Sequence, residues 1–194
     1  LVLVRDDDLW AEALGGVVRV VAREWPDRVA KFIRGGLSLS SEVITAELRS
    51  TDRSSDIRYV DGLRHVPGLV PATVAAAAPL TESDVVVITG GTRGIGRKLA
   101  LRLAASVGKV ILVGRGKVDI ESVLADKIIS VAADVTDRAS LVAALEPHRP
   151  TVLIHSAGLL ADGALGSVDP ERGRDARLVK ALGLMNAVVA CGPR

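Results

Sequence analysis

Aromatic side chains are almost missing from this chain: one tyrosine, one phenylalanine and two tryptophans make up 2% of its 194 residues. The single phenol, Tyr59, stands well upstream of the one glycine-rich turn described below. Cysteine is also scarce. Cys191 alone excludes an intramolecular disulfide, suits a reducing compartment, and reads best as a small buried hydrophobe. Three scattered histidines and a net charge of +2 give no nucleic-acid groove. The longest apolar stretch, Leu69–Leu80, is broken by Pro71 and Pro79 and is too short to span a bilayer. No signal peptide is visible and the first residue is leucine, so the sequence reads as a cytoplasmic piece of something longer. No metal site is expected; Asp6–Asp8 suit a helix start better than a metal cluster. What the chain does have is aliphatic mass. With 48% hydrophobic and 25% charged residues it can build one good-sized core or two small lobes.

The organising stretch is Val85–Arg115, VVVITGGTRGIGRKLALRLAASVGKVILVGR. Val85–Ile88 is short and β-branched, as a parallel strand covered on both faces would be. Thr89-Gly90-Gly91 stops it, and glycines return at Gly94 and Gly96. From Ile95 the period becomes helical, with Ile95, Leu99, Leu103 and Val107 predicted on one face and Gly108 ending the helix. Val110–Val113 is a second strand, completing a right-handed βαβ unit. A glycine turn that follows a strand and opens a helix is an anion site. The first helical N–H groups are unpaired, the helix dipole adds positive charge, and a backbone without Cβ lets a pyrophosphate approach.

Upstream, Leu9–Glu24 is predicted as a helix with Trp10, Leu14, Val17, Val18 and Val21 as its apolar stripe. Val29–Ile33 should be a strand, Ser41–Leu48 a serine-capped helix, and Ile57–Val66 a hairpin turning at Asp61-Gly62. Residues 1–68 form a first segment and 69–82, rich in Ala, Pro and Thr, a linker. The second segment, 83–194, continues with a helical turn at Val118–Leu124 and a strand at Ile128–Ala133. A helix capped by Thr136 or Asp137 then runs to Leu145, and Thr151–Ile154 is a strand. A long helix from Pro170 should bury Leu178, Leu182, Met185 and Val189. Strands alternating with helices imply an α/β fold, a Rossmann-type doubly wound parallel sheet. Ligands of such sheets sit at the carboxyl ends of the strands, here Gly90–Gly96, Gly114-Arg115, Asp134-Val135 and Ser156–Gly158.

The end of the second strand selects the cofactor. NAD sites place an acid there for the ribose 2′-hydroxyl, whereas this chain has Gly114-Arg115. A guanidinium suits a 2′-phosphate, and Arg93 can add a second cation, so NADPH is expected. An ordinary solvated arginine is the alternative for Arg115. Asp134 can accept from the adenine amino group, cap the next helix, or do both.

These residues resemble the short-chain dehydrogenase/reductase superfamily, whose TGxxxGIG loop is matched by TGGTRGIG and whose NAG is matched by HSAG. The closer resemblance is to the ketoreductase domain of type I polyketide synthases. LLADG at Leu159–Gly163 looks like that family's loop after the fourth strand, and RLVKALG supplies its K-x-x-G with Lys180 and Gly183. LWAEALGGVVRVVAREWPDR and DIRYVDGLRHVPGL look like part of the degenerate, cofactor-free Rossmann-like structural lobe that precedes the catalytic one. The resemblance implies NADPH-dependent reduction of a β-ketoacyl group to a β-hydroxyacyl group. The substrate would ride on the phosphopantetheine of an acyl carrier protein, among other synthase domains, with no nucleic-acid or membrane partner. Cofactor contacts implied are Thr89, Gly90, Thr92, Arg93, Gly94, Ile95, Gly114, Arg115, Asp134, Val135, Ser156, Ala157 and Gly158. Lys180 would be catalytic. Asp162 would be the second aspartate of the loop signature linked to one alcohol configuration, with Ala161 in place of the first. The family's serine and Tyr-x-x-x-Asn would lie past Arg194, so a domain incomplete at both ends is expected. The alternatives are a non-catalytic structural domain of the same fold and a free-standing reductase of a small ketone.

Overall fold

The computed structural model describes residues 2–5, 9–35, 39–75, 77–119 and 125–192, with side chains from residue 12 onward. The side chain of Trp10, the acidic run Asp6–Asp8 and the part of the expected helical turn from 120 to 124 lie outside the described residues.

Two compact units form, Leu1–Ala75 with Gly163–Ser167, and Ala76–Asp162 with Val168–Arg194. In the first, β1 (Val2–Arg5), β2 (Lys31–Arg34) and β3 (Asp56–Val60) are parallel, and β4 (Leu63–His65) pairs antiparallel with β3. The β3–β4 turn is Asp61-Gly62, both at positive φ (51° and 76°), as the Asp-Gly signal predicts. Helix α1 (Leu9–Glu24) covers β2. Its buried face differs from the predicted stripe: Val18 and Val21 are buried, but Leu14 and Val17 are 46% and 43% exposed. The reason is Gly15. The Phe32 ring occupies the place where a Cβ on Gly15 would stand, so the helix turns its glycine inward. Helix α2 (Ser41–Arg49) starts at Ser40, whose hydroxyl accepts the Val43 N–H, and contributes a buried carboxylate, Glu47. Glu47 accepts from Lys31 Nζ at 2.9 Å, from the Tyr59 hydroxyl at 2.8 Å and from Arg64.

The second unit holds β5 (Val85–Thr89), β6 (Lys109–Gly114), β7 (Ile128–Ala132) and β8 (Val152–His155), all parallel in the order β7-β6-β5-β8. Val86–Ile88 and Val110–Val113 are fully buried, which explains their unbroken aliphatic runs. Helix α3 (Gly94–Leu103) packs on one face of the sheet through Ala100, and Ala104 and Val107 of the turn that follows it join the same cluster. On the other face lie α4 (Arg138–Leu145) and, after α5 (Pro170–Arg177), α6 (Gly183–Cys191). The sheet is doubly wound as expected. Leu141 and Leu145 of α4 are fully buried, each stabilising the unit by about 1.5–3 kcal/mol. Asp137, not Thr136, caps α4, its carboxylate accepting the Ser140 N–H at 3.1 Å.

Two predicted helix faces are rotated in the structure. Ile95 is 83% exposed, because α3 approaches the sheet through Gly96, where a Cβ would come 2.7 Å from the Gly90 carbonyl oxygen. Met185 and Val189 are also exposed, while Gly183, Asn186, Ala187 and Ala190 face the core. Between α5 and α6 the segment Leu178–Leu182 is a π-helical turn. One extra residue in a turn rotates everything after it by about 100°, which moves the buried face one position along.

Candidate cofactor-binding cleft

Thr89, Gly114, Ala132 and His155 end the four strands of the second sheet, and the segments that follow line one open cleft of about 1080 Å³. That volume is ample for a dinucleotide. Gly90 turns the chain out of β5 at φ +67°, and a Cβ there would lie 2.7–2.8 Å from the backbone of Ser156 and Ala157. Only glycine allows the two loops to meet. Gly94, also at positive φ, opens α3, and Arg93 at the N-cap makes no side-chain cap hydrogen bond. The first N–H groups of α3 therefore remain for a ligand.

Every expected cofactor contact except Thr89 lines this cleft. Thr89 is the correction. It is fully buried beneath the floor, where its hydroxyl oxygen accepts the Ala157 N–H at 3.3 Å and pairs with His155 Nδ1 at 2.8 Å. Its side chain braces the floor and has no surface to offer a cofactor.

Arg93 and Arg115 are exposed at the cleft, and Lys117, which the motif reading passed over, joins them. The run Gly-Arg-Gly-Lys after β6 was the signal for it. No acidic residue ends β6. Asp134 lines the cleft but does not cap α4, which Asp137 does; its carboxylate instead accepts the Thr136 N–H at 2.8 Å and hydroxyl at 2.7 Å in the turn before that helix. Those hydrogen bonds, with nearby Arg115, hold its carboxyl below the usual range.

Lys180 lies in the π turn, its Cε and Nζ 2.9 Å from where a Cβ on Gly158 would stand. Gly183 faces Val135 and His155, at 2.8 Å and 3.3 Å from its missing Cβ. The K-x-x-G pattern thus has a steric meaning: lysine and glycine lie on the side of the helix that closes on the strand ends. Leu178, which periodicity placed on the buried face of this helix, lines the cleft together with Val179 and Asp175, which periodicity did not flag. Asp162 is exposed and does not line the cleft. Burial pushes the His155 imidazole below its ordinary pKa, aided by the Lys180 charge and opposed by the Val179 carbonyl. Among the described residues no group of His, Cys, Asp or Glu could hold a metal ion, and no helix is long and apolar enough to cross a membrane.

Residues 86–194 match the NAD dependent epimerase/dehydratase family. Chalcone synthase cfoA of Aspergillus candidus is 34% identical over 189 residues, covering 86% of this chain and 7% of that protein. Polyketide synthase GfsA of Streptomyces halstedii is 30% identical over 181 residues, covering 85% of this chain and 2% of that protein. The chain thus spans only a small part of these relatives. Among solved structures, the first ketoreductase of the tylosin PKS superposes with a TM-score of 0.73 at 28% identity, covering 91% of this chain and 42% of that one. A short-chain dehydrogenase from Burkholderia cenocepacia, in complex with NADP, superposes with a TM-score of 0.50 at 29% identity, covering 57% and 47%. The chain belongs to the NAD dependent epimerase/dehydratase family, and within its short-chain dehydrogenase/reductase superfamily its relatives are polyketide synthase ketoreductase domains.

Proposed function

We propose that this chain is the NADPH-binding part of a cytoplasmic ketoreductase within a larger synthase. It would reduce a β-ketoacyl group, carried on the phosphopantetheine of an acyl carrier protein, to the β-hydroxyacyl group. The observation that carries the reading is the cationic end of the cleft: Arg93, Arg115 and Lys117 flank an open helix N-terminus, and no carboxylate ends β6. The residues fit the cofactor, because Gly94 opens α3 at φ +58° with nothing within 4 Å of where a Cβ would stand, which leaves bare backbone toward the cleft.

The N–H groups at the start of α3 would hold the pyrophosphate, and Arg115 with Arg93 the 2′-phosphate. Asp134 would accept from the adenine amino group. Ser156–Gly158 would form the floor beneath the nicotinamide end, beside the Lys180 ammonium. When bound, the cofactor supplies a hydride to the ketone carbon. The chain's part is to orient the two reactants and exclude water. Lys180 would hold positive charge near the carbonyl oxygen and lower the pKa of any phenol placed beside it, easing proton delivery. Tyr59 is not that phenol, since its hydroxyl donates to Glu47 in the first unit.

Calorimetric titration of the chain with NADPH and NADH tests the reading. NADPH should bind roughly tenfold to hundredfold tighter, the worth of one charge-assisted pair, and Arg115→Ala should remove most of that margin. Equal affinities in the unaltered chain would sink the assignment, and absence of binding by either would leave the non-catalytic structural domain.

A further inference from the structure

Two buried side-chain polar atoms among the described residues lack a hydrogen-bond partner, Arg34 Nε and His155 Nε2. Arg34 is already held through its other nitrogens by Glu12 and Asp56. His155 is different, because its orphan nitrogen lies under the helix that carries Lys180. Its other nitrogen, Nδ1, is anchored 2.8 Å from the hydroxyl of fully buried Thr89. The ring edge rests against that helix: Cε1 is 3.3 Å from where a Cβ on Gly183 would stand.

The helix above the ring departs from α register at this place. Gly183 N–H is shared between the carbonyls of Leu178, five residues back, and Lys180, and does not bond to the Val179 carbonyl that an α-helix would have offered it. The Val179 carbonyl is also the main-chain acceptor that favours a proton on His155. That carbonyl is thus the main-chain acceptor beside the ring, while Nε2 has no partner at hydrogen-bond geometry in this structure. On the same turn, Lys180 is brought against Gly158.

We propose that His155 is the positioning residue for Lys180: its Nε2–H engages the Val179 carbonyl and pins the widened turn that sets Lys180 against Gly158. The neutral ring then carries its proton on Nε2 and leaves Nδ1 as an acceptor for the Thr89 hydroxyl. One polar chain runs from the floor of the cleft through the imidazole to the helix. Imidazole suits the task because its two nitrogens leave opposite edges of a rigid ring. The importance of Lys180 rests on the reductase reading above; the tautomer and the pinned turn do not.

Long-range 15N–1H correlation spectra of the histidine-labelled 194-residue chain near pH 7.5 test the tautomer. His155 should appear with Nε2 protonated and Nδ1 bare, and a proton on Nδ1 overturns the proposal. Native-state acetylation read by peptide mapping tests the consequence for Lys180. His155→Leu should raise the Lys180 labelling rate about threefold or more, by local opening of the turn, and His155→Gln should restore it through its amide N–H. Lys98, on the far helix α3, should label at an unchanged rate and so reports on the fold. An unchanged Lys180 rate in folded His155→Leu overturns the proposal. If that variant does not fold, His155→Gln against His155→Asn decides, since Asn is one methylene short of the carbonyl; equal rates overturn it. NADPH titration of the unaltered chain is read separately. Its failure alongside an Nε2–H tautomer would remove the reductase reading and leave the positioning role standing.

Discussion

Glu47 shows how much one residue can hold. Burial pushes its pKa up, but hydrogen bonds from Arg64, Lys31 and Tyr59 outweigh this and hold it down at about 2, against 4.5 for a free side chain. Because folding lowers the pKa, the stability from this carboxylate is complete above pH 4.5 and is lost as the pH falls toward 2. The loss should amount to roughly 2–3 kcal/mol, visible as a falling urea midpoint for the first unit in acid. Glu47→Ala should cost about 3–5 kcal/mol at neutral pH, since Lys31, equally buried, loses its partner. Gly90 is the counterpart in the second unit. Gly90→Ala places a methyl against the Ala157 backbone at a φ that alanine resists, and should cost about 2–4 kcal/mol in urea unfolding along with cofactor affinity.

At the scale of elements, the strand–turn–helix–strand unit from Val85 to Gly114 was legible because each of its signals is local. β-Branched runs, a glycine turn and a change of period all lie within 31 consecutive residues, Val85–Arg115. The faces of its helices were not legible in the same way. Ile95 points to the cleft and Met185 to solvent because small residues, Gly96 and Gly183, decide which side of each helix can come close to the sheet. Periodicity ranks residues by hydrophobicity and misses a face built from glycine and alanine. Gly183→Val is the direct test of α6. A branched side chain there meets Val135 and His155, so the helix must lift, with an expected loss of about 1–3 kcal/mol in thermal unfolding. Lys180 acetylation should rise in the same variant.

For the whole molecule, each unit has its own sheet and its own buried cluster. Both tryptophans, Trp10 and Trp25, belong to the first unit, whereas the cleft belongs entirely to the second. Tryptophan emission and cofactor binding therefore report on different cores. NADP⁺ at a hundredfold excess over its dissociation constant should stabilise the second unit by about 2.7 kcal/mol. The circular-dichroism transition should move, and the tryptophan transition should stay in place. A common shift would mean that the two units unfold as one.

By itself the sequence determined the α/β class, the alternation of strands and helices from Val85 to His155, the Asp-Gly hairpin and the glycine turn that opens α3, because these depend on neighbours along the chain. The strand Val2–Arg5 was not among them. Only the tertiary structure decided that Thr89 lies beneath the floor and not in the cleft, that Lys117 joins the cationic end, and that a π turn rotates α6. It also put His155 between Thr89 and the helix that carries Lys180. The physical reason is close packing: which side chain reaches the cleft depends on which residues are small enough to let a helix and a sheet approach, and that is a property of pairs far apart in sequence.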